Sequence, residues 1–363
     1  MRVLGFMSGT SLDGVDAAIL ETDGVAVTGF GPALLEGFTG EELACLTRAT
    51  ADALAGDGAE PWPASFAIAS TAIVAAHVRA ARTLLARSDA GTVELVGFHG
   101  QTVLHRPDRG LSIQLGDPAA LAAALAVPVV ARLRQGDLAA GGQGAPLVPV
   151  YHAALAGWLR ADLPVAFLNV GGVANVSFVG AHGKLVAFDT GPGNGLIDLM
   201  LQQRTGTRYD DGGRIAAAGQ IDAGALAAML TNPYLDRPGP KSLDRYDFTL
   251  DAVDALSVED AAATLTAFTA ASVAACLPHL PAPPRRWIVC GGGRHNPVLM
   301  AALRERLGQV DDADALGLRG DFLEAEAFAF LAARSVRGLP ITFPGTTGVA
   351  EPTTGGEAFP PAS

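Results

Sequence analysis

The 363-residue chain predicts an α/β protein of two domains with a cleft between them. Three observations carry that expectation. The length exceeds what one hydrophobic core usually fills. Strand-like and helix-like stretches alternate in both halves. Each half also opens on the same plan, three apolar strands separated by polar, glycine-containing turns, which reads as a duplication of supersecondary structure without residue identity. A hydrophobic content of 49% against 17% charged residues belongs to a folded globular chain rather than a disordered one. The boundary is expected near residue 130, giving an N-terminal domain 1–130, joined by part of the segment 337–363, and a C-terminal domain 131–336.

In the first half, RVLGFMSG (2–9), DAAILETDG (16–24) and VAVTGF (25–30) read as three strands. Residues 40–55 and 65–88 show helical spacing of apolar positions. VELVGFHG (93–100) is a short apolar run ending in glycine, expected to be a buried strand followed by a tight turn. DPAALAAALAVP (117–128) predicts a helix capped by Asp117 with Pro118 at its first position, and VPVVARL (127–133) the next strand. The second half begins with LPVAFLNVGGVANVSFVGAHGKLVAFDTGPG (163–193), three strands and two glycine turns. Helices are expected at 195–206, 223–231 and 258–277, a strand, glycine turn and helix at 285–308, and a closing helix at 321–338.

A formal net charge of −12 argues against nucleic acid or an anionic membrane surface as the main partner. It leaves a phosphate ligand open, since backbone N–H groups and one metal ion bind phosphate without net positive charge. Lys184 and Lys241 are the two lysines among basic residues that are otherwise arginine. A coding bias towards arginine explains that, and makes a lysine retained in the loop RPGPKSLDR a functional candidate. Cys45, Cys276 and Cys290 are far apart in apolar surroundings, so neither a metal cluster nor a disulfide framework is expected. The N-terminus MRVLGFMSG is too short and polar for a signal peptide, Pro128 interrupts the alanine-rich run before it, and no apolar stretch is expected to reach membrane-spanning length. A cytoplasmic location follows as the expectation.

Five clusters carry chemistry. SGTSLDG (8–14) interrupts the strands with more residues than a hairpin needs, and its glycines and hydroxyls suit an anion, with Asp13 able to hold Mg²⁺; an elaborate turn would use the same residues. FDTGPGNGLID (188–198) sets Asp189 at a strand end, where a carboxylate can act as general base, followed by Gly191, Gly193 and a helix N-terminus; NVGGVAN, with Gly171 and Gly172, lies one hairpin earlier. VCGGGRHNP (289–297) offers Gly291, Gly292, Gly293 and Asn296, though tight strand–helix packing would also demand glycine. FHGQTVLHRP (98–107) sets His99, Gln101 and His105 around the expected turn, a donor and acceptor set for sugar hydroxyls or an acetamido group, and RLRQGDLAAGGQGAPLVP (132–149) adds Arg134, able to clamp a carboxylate, and Asp137. In GDFLEAEAF (320–328), Glu324 and Glu326 are two apart on a helix, so one at most faces the cleft and the other is expected in solvent. A Walker A lysine motif is absent, which excludes a P-loop.

Taken together, GFMSGTSLDGVD, GFHGQTVLHRP, GGQGAPLVP, NVGGVANVS, FDTGPGN, PKSLDR, CGGGRHNP and EAEAFAFLA occur in the order found in 1,6-anhydro-N-acetylmuramic acid kinases, and the chain resembles that family over nearly its whole length. The resemblance implies the two-domain ribonuclease H-like, actin-type sugar kinase fold with ATP and substrate in the central cleft. It implies ATP contacts from Gly9, Thr10, Ser11, Leu12, Asp13, Gly14, Val15 and Asp16, and from Gly171, Gly172, Gly191, Gly193, Asn194, Gly291, Gly292, Gly293 and Asn296. Mg²⁺ would sit at Asp13, Asp189 would be the catalytic base, and His99, Gln101, Arg134, Asp137 and Glu324 would face the sugar. The implied reaction opens the 1,6-anhydro bond with water and phosphorylates O6, giving N-acetylmuramic acid 6-phosphate and ADP for cell-wall recycling; a homodimer is expected. Two loops depart from the family pattern. Arg132 replaces an acidic residue, and Leu243 and Asp244 stand in KSLDR where KSTGR is common. Two other readings compete: a kinase of the same superfamily acting on an ordinary sugar or carboxylate, and a non-catalytic sugar sensor, which would need a DNA-binding segment that the sequence does not show.

Overall fold

The chain traces two compact units, one from Met1 to Trp158 completed by the residues from Phe322 onward, the other Leu159–Asp321. The computed structural model describes residues 1–9, 11–56, 58–243 and 247–361, so that Thr10 and Asp244 lie outside the described residues.

The first unit opens with β1 (Arg2–Ser8), β2 (Gly14–Thr22) and β3 (Val27–Gly37), then α1 (Gly40–Ala55), α2 (Ala64–Leu85), β4 (Leu95–Arg106), β5 (Leu111–Leu115), α3 (Pro118–Leu125), β6 (Val129–Ala131), α4 (Gln135–Ala139) and α5 (Pro149–Trp158). The second holds β7 (Val165–Val170), β8 (Ala174–Val179), β9 (Leu185–Gly191), α6 (Gly195–Thr205), α7 (Arg214–Ala218), α8 (Ala223–Leu230), α9 (Val258–Ala275), β10 (Arg286–Cys290), α10 (Pro297–Leu307) and β11 (Val310–Asp312). The chain then returns to the first unit with α11 (Leu323–Val336), α12 (Pro344–Thr347) and β12 (Glu357–Phe359).

The duplication expected from the sequence is present in the sheets. Among the described residues, the first runs β3-β2-β1-β4-β6-β12 with β5 paired to β4, the second β9-β8-β7-β10-β11. In each, three antiparallel strands are followed by two parallel ones. This repeated mixed α/β plan is that of the expected ribonuclease H-like, actin-type class.

The boundaries differ from the expected ones for a physical reason. β6 pairs parallel to β4 and antiparallel to β12, which draws residues 131 onward into the first sheet. α11 seats on that same sheet at two glycines opposite each other in register, Gly5 of β1 and Gly97 of β4. A Cβ on Gly5 would lie 1.9 Å from Ala325 O, and one on Gly97 2.1 Å from Phe328 O, so the helix backbone rests directly on the strands. Local signals hold where they were legible. Asp117 accepts from Ala119 N–H and Ala120 N–H ahead of Pro118, and Asn296 caps α10 ahead of Pro297.

Two expectations are corrected. The turn placed after Gly100 does not exist; β4 continues to Arg106, paired with β5, and Gly100 at φ +76° lets the strand bend without ending. Two helical stretches, Ala64–Leu85 and Val258–His279, are long and apolar enough to cross a membrane. Their apolarity has an internal cause: α2 packs Phe66, Ile73, Ala80 and Leu84 into the first core, and α9 is buried along nearly its whole length between two clusters of the second unit.

Candidate active site

In the second unit, three glycine loops at strand ends close on one another. Gly193, at φ +53°, has no room for a side chain, since a Cβ would stand 2.5 Å from Gly171 O. Asn194 N–H donates to Gly171 O at 2.8 Å and Gly195 N–H to Gly172 O at 2.9 Å, which zips the 171–173 loop to the 190–195 loop. The third loop closes on the same point: a Cβ on Gly291 would fall 2.2 Å from Asn169 Oδ1, and one on Gly293 2.5 Å from Val170 Cγ1. Gly191 is pressed on Ser272 of α9, and Thr269 donates to Gly193 O at 2.6 Å. By contrast, a Cβ on Gly172 or Gly292 would meet nothing within 4 Å, so packing among the described residues does not require glycine there.

Asp189 lies in β9, the edge strand of this sheet, and the segment 234–243 covers that edge. Asp189 N–H donates to Lys241 O at 3.0 Å, the Tyr234 hydroxyl donates to Asp189 O at 2.9 Å, and Leu243 N–H donates to Asp189 Oδ2 at 2.9 Å. Burial pushes the carboxyl up to about 6, opposed by the Leu243 N–H and by the Lys241 charge. A carboxyl with one oxygen held by an N–H, its backbone tied at both N–H and C=O, and its pKa raised to about 6 by burial has the properties a general base needs.

The first unit holds a cluster of its own. Arg134 donates from Nε to His99 Nε2 at 3.0 Å and from Nη1 to Gly144 O at 2.6 Å. Accepting from a guanidinium fixes His99 as the neutral tautomer protonated on Nδ1; burial and the Arg134 charge hold its pKa well below the ordinary value. His99 stacks on Phe328 with ring centroids 4.6 Å apart. Burial lowers Arg134 to about 10, and the charge of Glu324 acts against that; burial raises Glu324 while Arg134 lowers it. Gln101 is 1% exposed and donates to Gly9 O at 3.1 Å, linking this cluster to the opening loop. In that loop Leu12, at φ +57°, packs on the core while Ser11 and Asp13 are exposed. Gly14 is pressed on the Glu36 carbonyl, and Asp16 is half-buried in β2.

A model of the anhydro-N-acetylmuramic acid kinase family matches residues 1–361. The curated anhydro-N-acetylmuramic acid kinases of Rhizorhabdus wittichii and Caulobacter vibrioides are 53% and 52% identical to the chain, the first covering 99% of both chains and the second 98% of both. The chain belongs to the anhydro-N-acetylmuramic acid kinase family. It is a kinase, a phosphotransferase with an alcohol group as acceptor. Among solved structures, an activator of 2-hydroxyisocaproyl-CoA dehydratase from Clostridium difficile with bound ADPNP aligns over 93% of this chain and 96% of its own, at 12% identity and a TM-score of 0.45. That likeness is remote.

Set beside the residues expected of an anhydro-N-acetylmuramic acid kinase, the structure groups the second unit's glycines and Asn194 around one point and moves three residues to other duties. Asp137, 1% exposed, spends Oδ2 on Gly144 N–H and Oδ1 on the Thr347 hydroxyl, both at 2.6 Å, so it builds the loop that positions Arg134. Asn296 commits Oδ1 to Val298 N–H and Leu299 N–H. Val15 is fully buried, its side chain part of the first core. Glu326, expected in solvent, is fully buried and accepts from the Tyr151 hydroxyl at 2.5 Å. The departures resolve differently. Arg132 pairs with Glu357 at 2.7 Å and lies over Phe359. Leu243 serves Asp189 through a backbone N–H that its identity does not advertise. Sequence reading also passed over Arg294, whose buried guanidinium ties the glycine triplet to Asp314 and Asp321, and over Asp198 of α6, pushed up to about 6 by burial and the neighbouring Asp210 charge.

Proposed function

We propose that the protein opens 1,6-anhydro-N-acetylmuramic acid with water and phosphorylates O6 at the expense of ATP, releasing N-acetylmuramic acid 6-phosphate and ADP in cytoplasmic recycling of cell-wall sugar, as a homodimer. The observation that carries the reading is Asp189. It is a strand-end carboxylate with its backbone fixed on both sides, one oxygen fixed by Leu243 N–H and a raised pKa, in the strand that runs into the zipped glycine loops. Among the described residues Leu243 N–H bonds Oδ2 and nothing hydrogen-bonds Oδ1, which leaves Oδ1 to take a proton from water.

In this mechanism Asp189 removes the proton while the water oxygen bonds to C1. The C1–O6 bond breaks, O6 bonds to the γ-phosphorus, and the bond from that phosphorus to the ADP oxygen breaks. Opening an acetal with water calls for a carboxylate opposite the leaving oxygen. Here the phosphoryl group neutralises the leaving oxygen, so a separate acid is not required. Backbone N–H groups of the 171–173, 190–195 and 291–293 loops would bind phosphates; in the first unit, Ser11 and the backbone of residues 11–14 would serve ATP. Arg134 would take the lactyl carboxylate, with His99, Gln101 and Glu324 lining the sugar. Mg²⁺ fits the residues present: it is commonly held by one or two carboxylates plus substrate phosphates, Asp13 is an exposed carboxylate on the opening loop, and the described residues hold no cluster of three or more acidic, His or Cys ligands that would imply a different metal. When bound it supplies charge neutralisation on the phosphates.

The test is ADP release with the anhydro sugar in ¹⁸O-water. The label is expected on C1, and Asp189→Asn is expected to lower kcat by about 10²–10⁴. Unlabelled product with undiminished turnover points to an ordinary sugar kinase, and retained activity in Asp189→Asn removes the base assignment. Size-exclusion chromatography with light scattering checks the dimer.

A further inference from the structure

Lys241 is the lysine that the sequence marks as retained against a bias, and a lysine in a kinase loop suggests phosphate binding. Its placement says otherwise. The residue is 8% exposed, and its ammonium donates to Tyr234 O at 2.8 Å and Leu235 O at 3.3 Å. It lies 4.5 Å from the centre of the Tyr234 ring and 5.6 Å from that of Phe188, the residue before Asp189. The charge is therefore spent inside its own loop, on two carbonyls and two aromatic faces.

The consequence lies at Asp189. Beyond the pairing of β9 with β8, where Asp189 stands opposite Asn175, the groups that hold this residue come from the two ends of the stretch that Lys241 closes: the Tyr234 hydroxyl at one end, and the Lys241 carbonyl and Leu243 N–H at the other. Gly239 packs the middle of the loop on Phe188, where a Cβ would stand 2.4 Å from the ring. Among the described residues, the other charged and titratable groups around the loop are Asp236, Arg237, Asp247, Cys276 and His279; Arg237 lies 5.5 Å from the Tyr234 ring and His279 Nε2 sits 3.1 Å from Leu235 O. No ion pair joins the Lys241 ammonium to the Asp189 carboxylate among the described residues, so its hold on Asp189 is mechanical first and electrostatic second.

We infer that Lys241 is a positioning residue, whose buried ammonium closes the 234–241 loop so that Leu243 N–H, Lys241 C=O and the Tyr234 hydroxyl meet Asp189 together. The inference rests on Asp189 being the base, and the experiment separates the two. Lys241→Met keeps the length of the side chain and removes its donors and charge; Lys241→Arg keeps the charge. For each, kcat and KM for ATP are measured across pH. The titration of Asp189 is read without turnover, from the pH dependence of the stability difference between each protein and its Asp189→Asn derivative.

The expected result for Lys241→Met is a fall in kcat of about tenfold or more near neutral pH and an acid limb moved up by about one pH unit, matched by the stability-derived titration. KM for ATP should change less than about twofold, and Lys241→Arg should recover part of the loss. A rise in KM for ATP of about tenfold with the acid limb unmoved makes Lys241 a phosphate ligand and overturns the inference; so does a variant indistinguishable from wild type. If Asp189 titrates higher by stability but the rate profile does not follow, the base assignment fails while the positioning role stands. If Lys241→Met does not fold, Tyr234→Phe reads the same link by removing one hydroxyl, and an unchanged kcat and unchanged Asp189 titration there overturn the inference.

Discussion

At Asp189 function and stability pull in opposite directions. Its folded pKa of about 6 lies above the ordinary 3.8 because burial disfavours the charge. The sign follows: the fold binds the proton more tightly than the unfolded chain, so this residue's favourable contribution is complete below pH 3.8 and disappears as pH rises through 6. Ionised Asp189 is therefore a cost at the pH where the proposed base would work. Asp189→Asn should raise the melting temperature at pH 8 and not at pH 4, the gain at pH 8 corresponding to roughly 3 kcal/mol of stability, while activity falls; calorimetry of both proteins at the two pH values checks it. The wild-type rate should rise through about pH 6 as the carboxylate forms. A second prediction concerns the partner that sequence reading could not see. Leu243→Ala keeps the N–H and should keep kcat within about twofold, whereas Leu243→Pro removes it and should lower kcat by about tenfold or more. Asp189 was legible because a carboxylate at a strand end followed by glycines is a side-chain signal. Leu243 was not, because any residue except proline supplies an N–H.

Elements show the same division between local and distant information. The caps of α3 and α10 could be read because Asp117-Pro118 and Asn296-Pro297 settle their own backbone. The continuation of β4 could not, since Gly100 has the positive φ of a turn and only pairing with β5, across an intervening loop, keeps it in a strand. The partner of β6 is more distant still: Glu357–Phe359 lie more than 220 residues away, and nothing near Val129 announces them. The seating of α11 is the strongest element-scale test. Gly97 faces the Phe328 carbonyl with no space for a methyl group, and helix and sheet backbones cannot both yield. Gly97→Ala should lower stability by about 2–4 kcal/mol, as overpacking against backbone does. Thr39→Ala, which removes one half of the Thr39–Glu42 capping box of α1, should cost about 1 kcal/mol. Urea unfolding of both variants against wild type decides whether the order of severity holds.

For the molecule as a whole, the buried histidines dictate the response to acid. His77 sits between Phe6 and Phe98, with ring centroids 5.1 and 4.9 Å away and Nδ1 2.7 Å from the Ile73 carbonyl. Burial lowers its pKa to about 4, that of His105 to about 4 and that of His152 to about 3. A histidine kept neutral by the fold is protonated first in the unfolded chain, so the unfolded state binds more protons between pH 6.5 and about 4. Stability is therefore complete above pH 6.5 and lost as pH falls through that window. Asp189 and Asp198, raised to about 6, work against this, because they gain stability on protonation. With His99 the buried histidines still outnumber the raised carboxyls, Glu324 included, and His152 is displaced further than either aspartate; the Glu42 carboxylate, held low by Arg79, joins their side only below pH 4.5. Acid lability should therefore prevail, with the melting temperature falling steadily from pH 7 to pH 4.5. His77 alone accounts for up to about 3 kcal/mol of that fall. His77→Phe fits the aromatic contacts and loses only the hydrogen bond to Ile73, so it should be less stable than wild type at pH 7 but flatter across the window, the two curves converging towards pH 4.5. Parallel curves would show that His77 carries no proton-linked stability, and that the acid response arises elsewhere in the chain.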